Sequence, residues 1–131
     1  MIVLDCSYAM AMVMPDERRP VSIQRVADAP LVAPAIWPLE VANALRSAAK
    51  RRRVREDQVG GLCADLDGFG IEIATQGSMR VADAYAVAAR HDLSAYDAAY
   101  LELALQRRHA LATLDARLAA LAAALGLSVL H

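Results

Sequence analysis

Met1-Ile2-Val3-Leu4-Asp5 is the stretch that decides how this chain is read. Three consecutive aliphatic residues, two of them β-branched, predict a short strand buried on both faces. A carboxylate then stands where the strand runs out into Cys6-Ser7. In open parallel α/β sheets ligands bind outside the carboxyl ends of the strands, which makes an acid at that point a functional candidate. The simpler reading is an Asp that caps the next helix.

The same arrangement recurs along the chain. Leu31-Val32-Ala33, closed by Pro34, predicts a second strand, and Ala110 to Leu114 another that ends in Asp115, as the first ends in Asp5. Ile71 to Ala74 alternates like a strand exposed on one side, which places it at the sheet edge, and Ser128-Val129-Leu130 closes the sheet. Between these strands lie helical segments. Ser7 to Met14 is opened by Ser7 as N-cap and stopped by Pro15; Val21 to Ala29 is short; Leu39 to Arg53 has Pro38 in its first turn. Arg55 to Phe69 is weakened by Gly60-Gly61, Ser78 to His91 ends in a basic turn, and Ala98 to Arg107 follows a capping signature at Ser94. Ala116 to Leu125 is closed by Gly126. Strand and helix in alternation predict an α/β fold, a three-layer α/β/α sandwich on a short parallel sheet, with residues 1–131 as one domain.

Composition narrows the function. The formal net charge is −1, so the chain is no general polyanion binder, and any nucleic-acid contact must come from a local basic patch. Cys6 and Cys63 form no metal or redox motif, and the N-terminus has neither a basic region nor a signal-like apolar run. The expectation is a reduced, cytoplasmic protein. Arg107, Arg108 and Asp115 interrupt the Ala/Leu-rich region, which leaves no segment able to span a bilayer.

Within Leu39 to Arg53, one apolar stripe is expected from Leu39, Ala42, Leu45 and Ala49, and a polar stripe from Glu40, Asn43 and Ser47. The helix ends in Lys50-Arg51-Arg52-Arg53, with Arg55 beyond. Cations there suit the helix dipole, and together with Arg46 they are equally candidates for steering a nucleic-acid strand. Met10, Met12 and Met14 are core filler, or else an adaptable surface for a partner. In Ala98 to Arg107, Glu102 and Gln106 face outward, and Asp97 points the way Leu101, Ala104 and Leu105 point. A carboxylate turned inward is costly unless paired, and a cation is the simplest partner. The alternative is an acid of a capping box, bound to its own backbone.

Two acids thus end strands, Asp5 and Asp115, and two lie in first helical turns, Glu40 and Asp97. In a parallel sheet all four could converge on one rim. Without a cation they would repel one another and their pKa values would rise. With Mg²⁺ or Mn²⁺ the sign reverses, because hard ions take oxygen ligands and keep positions open for phosphate oxygens and water. The implied chemistry is metal-assisted phosphodiester hydrolysis.

With IVLDCS, PLEVANAL around Glu40, SAYDAAYLELA around Asp97 and ATLDARLAALA around Asp115, the whole chain resembles the PIN-domain ribonucleases, and among them the VapC toxins. The resemblance implies an acidic metal site of Asp5, Glu40, Asp97 and Asp115, with Ser7, Asn43 and Thr113 as neighbouring polar residues. It also implies an RNA substrate, a homodimer, and a cognate VapB-like antitoxin seated in an apolar groove, with the methionine-rich first helix as the expected place. Two rivals remain: a catalytically inert PIN-like binding module, and a receiver-like Mg²⁺-binding signalling domain. The second lacks its marks, since the third strand runs into Thr75-Gln76-Gly77 without an acceptor Asp and the only Lys is Lys50.

Overall fold

The structure, a computed structural model, describes residues 1–75 and 80–131. Its centre is the stretch read first. β1 (Ile2–Leu4) is wholly buried, flanked by β2 (Leu31–Pro34) on one side and β4 (Ala110–Ala112) on the other. β3 (Glu72–Ala74) and β5 (Val129–Leu130) lie at the two edges, in the order β3-β2-β1-β4-β5, and every pairing is parallel. The edge placement of β3 agrees with its alternating pattern, Glu72 and Ile73 being exposed and Ala74 buried.

From β1 the chain steps to β2 and β3 in one direction, then returns across the sheet to β4 and β5. Right-handed crossovers require the connecting helices to change face at that reversal. The packing agrees. α1 (Cys6–Val13), α3 (Trp37–Lys50) and α4 (Glu56–Gly68) pack on one another, whereas α6 (Ala95–Arg107) packs on α5 (Val81–His91), α7 (Ala116–Ala124) and strands β1, β2 and β4. The short α2 (Ile23–Ala27) precedes β2. The three-layer α/β/α sandwich is therefore present, and its topological switch point falls between β1 and β4.

The core joins both helical layers through the sheet. Val3, Leu4, Val32, Leu111 and Ala112 of the strands are sealed by Tyr8, Met14, Leu45, Leu101, Ala104 and Leu118 of the helices. Two local expectations need correction, the apolar stripe of α3 and the N-cap of α1. α3 buries Trp37, Val41, Leu45 and Ala48, while Leu39 is 68% exposed and Ala42 also faces solvent. The bulk of Trp37, in line with Val41, Leu45 and Ala48, sets the buried face and turns the helix away from the stripe begun at Leu39. Met10, Met12 and Met14 are all buried and act as core filler. Ser7 does not cap α1, which opens at Cys6 with Asp5 in the N-cap position. The expected start of the α5 segment at Ser78 lies outside the described residues.

Helix ends follow the chain's punctuation. Met14, the residue before Pro15, is extended and ends α1, as the clash with a following proline ring dictates. Gly126, at φ +86°, takes the left-handed position after α7 that side chains avoid.

Candidate active site

Asp5 leaves β1 at the switch point and is 5% exposed. It occupies the N-cap position of α1, yet its carboxylate makes no cap hydrogen bond. Instead Oδ2 accepts from Ser7 Oγ at 2.6 Å and from Thr113 Oγ1 at 2.7 Å. Thr113 is fully buried and follows β4, so this bond ties the carboxyl ends of two adjacent strands together. The hydroxyls are themselves held: Ser7 Oγ accepts from Leu114 N at 3.0 Å and Thr113 Oγ1 from Asp115 N at 3.1 Å. Every bond converges on one carboxylate oxygen, Oδ2, and these hydroxyls leave Oδ1 aside. The capping account of Asp5 therefore fails, and Ser7 and Thr113 are neighbours of the acid as expected.

Asp115 stands in the equivalent place after β4 but behaves differently. It is exposed and caps α7, its Oδ1 accepting from Leu118 N at 2.9 Å. Glu40, half-buried in the first turn of α3, accepts at Oε1 from Tyr100 Oη at 2.7 Å. Tyr100 is fully buried and lies three residues beyond Asp97 on α6, so its phenol spans the sheet rim from one helical layer to the other. Burial, then the bond to Glu40, pushes its phenol far above the ordinary range, which keeps the proton on the tyrosine. Asp97 is half-buried beside the inward residues Leu101 and Ala104. Its own backbone N–H donates to Ser94 Oγ at 3.1 Å, which forms the N-cap of α6.

The acids sense one another across four segments of chain. Glu40 is raised above the usual carboxylate range, first by burial and then by the charges of Asp5 and Asp97, with the Tyr100 bond opposing. Asp97 is raised by burial, then by Asp5 and Asp115, against the Ser94 hydroxyl and the Arg117 guanidinium. Cys6 lies among them, its thiol pushed up to about 12 by burial first and by Asp5, Glu40 and Glu17 after it. A thiol so placed stays protonated and is no nucleophile at neutral pH.

Repulsion of this kind is what a hard divalent cation relieves. Among the described residues, however, no three His, Cys, Asp or Glu side chains stand close enough to hold a metal ion as they are placed. The donor chemistry fits Mg²⁺ or Mn²⁺, with oxygen ligands only and a hydrogen bond already committing Oδ2 of Asp5, Oε1 of Glu40 and Oδ1 of Asp115. Asp97 is half-buried and no hydrogen bond holds its carboxylate, whereas Asp115 is exposed and held by Leu118 N through Oδ1.

Other expected residues fall elsewhere. Asn43 is exposed on α3 and forms no hydrogen bond with the acids. Arg46, Lys50, Arg51 and Arg52 are exposed, whereas Arg53 is held by Asp16 and Glu17, and Arg55 by Asp57. Glu102, read as outward, is partly covered by α5 and lies 3.8 Å from Arg90. Tyr100 and Arg117 escaped the sequence reading. Tyr100 shares the inward face of its helix with Asp97, and a phenol on such a face calls for a polar partner.

A parallel sheet with carboxylates at its switch point defines the class, an α/β fold of the PIN type with an acidic rim. The chain is 34% identical over 120 residues to Ribonuclease VapC3 of Pyrobaculum aerophilum, covering 90% of this chain and 92% of that protein. It belongs to the VapC family of PIN-domain proteins. The crystal structure of PAE2754 from Pyrobaculum aerophilum superposes with a TM-score of 0.72 at 19% identity, covering 98% of this chain and 81% of that one, and so shares the fold. No protein-family model matches the chain.

Proposed function

We propose that this protein is a Mg²⁺- or Mn²⁺-dependent endoribonuclease that hydrolyses RNA phosphodiester bonds at Asp5, Glu40, Asp97 and Asp115, and that it is the toxin of a type II toxin-antitoxin pair. One observation carries the reading: the Thr113–Asp5 bond joins the ends of β4 and β1, and the Tyr100–Glu40 bond joins α6 to the first turn of α3, which draws acids from both helical layers toward one rim. Kinship to a protein named as a ribonuclease supports it.

A bound Mg²⁺ or Mn²⁺ would neutralise charge on the phosphate and make a water nucleophilic at neutral pH. The chain's own residues do the positioning. Ser7 and Thr113 fix Asp5 through Oδ2, Tyr100 fixes Glu40 through Oε1, and the α7 backbone fixes Asp115 through Oδ1. Glu40 or Asp97, each in a first helical turn at the rim, is the carboxylate that would receive the proton of the attacking water. This hydrolysis does not use a 2′-hydroxyl, so preference for RNA rests on shape and base contacts.

The same reading takes a VapB-like antitoxin, a homodimer and a cytoplasmic setting. No described helix is long and apolar enough to cross a membrane. With the methionines buried, the place left beside α1 for an antitoxin segment is a shallow hollow bordered by Met12, Val13, Arg19 and Phe69. The decisive experiment is cleavage of a mixed set of structured RNAs with Mg²⁺ or Mn²⁺, against EDTA and the Asp97→Asn variant. Cutting that requires the metal and is lost in the variant is the expected result. No cutting and no metal-induced rise in melting temperature would favour the inert binding module.

A further inference from the structure

The basic run at the end of α3 is at the wrong end of the molecule to hold a phosphate at the acidic rim. α3 starts at that rim, with Glu40 in its first turn, and reaches Lys50 only at its last residue. At about 1.5 Å per residue, Lys50 lies roughly 15 Å from Glu40 along the helix axis. Arg53 and Arg55 lie beyond it, each already paired with carboxylates. A phosphodiester drawn to four acids needs a cation beside them.

The geometry points to Arg117 as the residue that grips an RNA phosphate next to the acidic cluster, handed over to it from Asp92. The inference rests on the ribonuclease reading. Arg117 lies in the first turn of α7, two residues past Asp115, with its side chain 66% exposed. The residue it bonds, Asp92, lies five residues before Asp97, so Arg117 bridges the segments that carry Asp115 and Asp97. It is parked on Asp92, in the turn between α5 and α6, with Nη2 2.7 Å from Oδ2 and a second bond to the Asp92 carbonyl oxygen.

That parking is easily undone. An exposed ion pair contributes little stability, and the Asp92 side chain is 96% exposed. Only one oxygen of the Asp92 carboxylate is engaged, together with the backbone carbonyl, whereas a phosphate can offer the guanidinium two oxygens at once. Asp92 therefore competes with substrate, and its removal should help binding. That sign separates the inference from a purely structural tie between α7 and the α5–α6 turn.

The test is a four-protein cycle in a Glu40→Gln background with Mn²⁺: no further change, Arg117→Gln, Asp92→Asn, and both together. The probe is a fluorescein-labelled RNA hairpin with a single-stranded loop, followed by anisotropy. Asp92 sits at φ +51°, a conformation Asn accepts readily, and both side chains are largely exposed, so the variants keep the fold. Arg117→Gln should weaken binding about tenfold and lower the slope of log Kd against log salt by about one. Arg117→Lys should restore that slope. Asp92→Asn should tighten binding about threefold where Arg117 is present and much less where it is Gln, as a shared contact requires. Unchanged binding in Arg117→Gln, an equal Asp92→Asn effect with and without Arg117, or no binding by any of the four would overturn the inference. Cleavage by the chain with Glu40 intact distinguishes the two readings. Undiminished cutting by Arg117→Gln sinks the inference alone, and Arg117-dependent binding without cutting sinks the nuclease alone.

Discussion

Asp5 and Asp115 end adjacent parallel strands at the same rim, and the protein treats them in opposite ways. Asp5 is buried, caps nothing, and has one oxygen clamped by two hydroxyls that are themselves clamped. Asp115 is exposed and serves its own helix as N-cap. A strand end fixes where a carboxylate stands. What it bonds to depends on its surroundings: the neighbouring strand brings Thr113 to Asp5, whereas Asp115 bonds the start of α7 that follows it in the chain.

The largest effect that could break this contrast is Asp5→Ala. It should abolish cleavage and also destabilise the metal-free protein by about 2 kcal/mol, because the buried Thr113 hydroxyl and the part-buried Ser7 hydroxyl lose their charged acceptor. Chemical denaturation with unchanged stability would mean that the hydroxyl clamp has no energetic weight. Asp115→Ala should cost about 1 kcal/mol, the usual value of a lost cap, whereas Asp115→Ser should keep the cap and lose cleavage. If Asp115→Ser still cuts RNA at the full rate, Asp115 is a cap and nothing else.

Tyr100→Phe comes next in size. It leaves the ring in the core and deletes only the bond to Glu40, so a loss of about 1 kcal/mol is expected, with weaker Mn²⁺ binding by calorimetry. Unaltered Mn²⁺ affinity would detach Glu40 from the metal reading.

A smaller effect concerns pH. Glu40 and Asp97 are both raised in the folded protein, so the native state holds their protons more tightly than the unfolded chain does. Their contribution to metal-free stability is present at acid pH and is lost as pH rises past the ordinary values of 4.5 and 3.8 and through the folded ones. Glu40→Gln and Asp97→Asn should each flatten that fall as pH rises above 4.5 and 3.8 respectively, read by chemical denaturation across a pH series. A steeper fall in either variant would show that the acids stabilise the metal-free fold. The smallest expected effect is that of Glu102→Gln. Its bridge to Arg90 is exposed on the arginine side, so stability should move by less than about 0.5 kcal/mol and cleavage should not move.

Much of this architecture is legible in the chain because it depends on local rules. A doubly buried aliphatic run makes β1, the alternation at Ile71 to Ala74 puts β3 on an edge, and Pro15 and Gly126 end helices wherever they occur. The four acids were nameable for the same reason, each sitting at a strand end or in a first helical turn. The buried face of α3 was not, because its register depends on whether Trp37 or Leu39 meets α1, which is a question of packing rather than of period.

The sequence by itself thus determined the alternation of strands and helices and the positions of the acids along the chain, both being properties of neighbours in sequence. Only the tertiary structure decided the reversal of strand order between β1 and β4, which brings Thr113 to Asp5 and Tyr100 to Glu40 over 108 and 60 residues of separation. It also tied Arg117, two residues past Asp115, to Asp92 of the α5–α6 turn, and set the basic run at the far end of α3 from Glu40. Hydrogen bonds and charges act through space at a few ångströms, and no local pattern records which distant residue will arrive there.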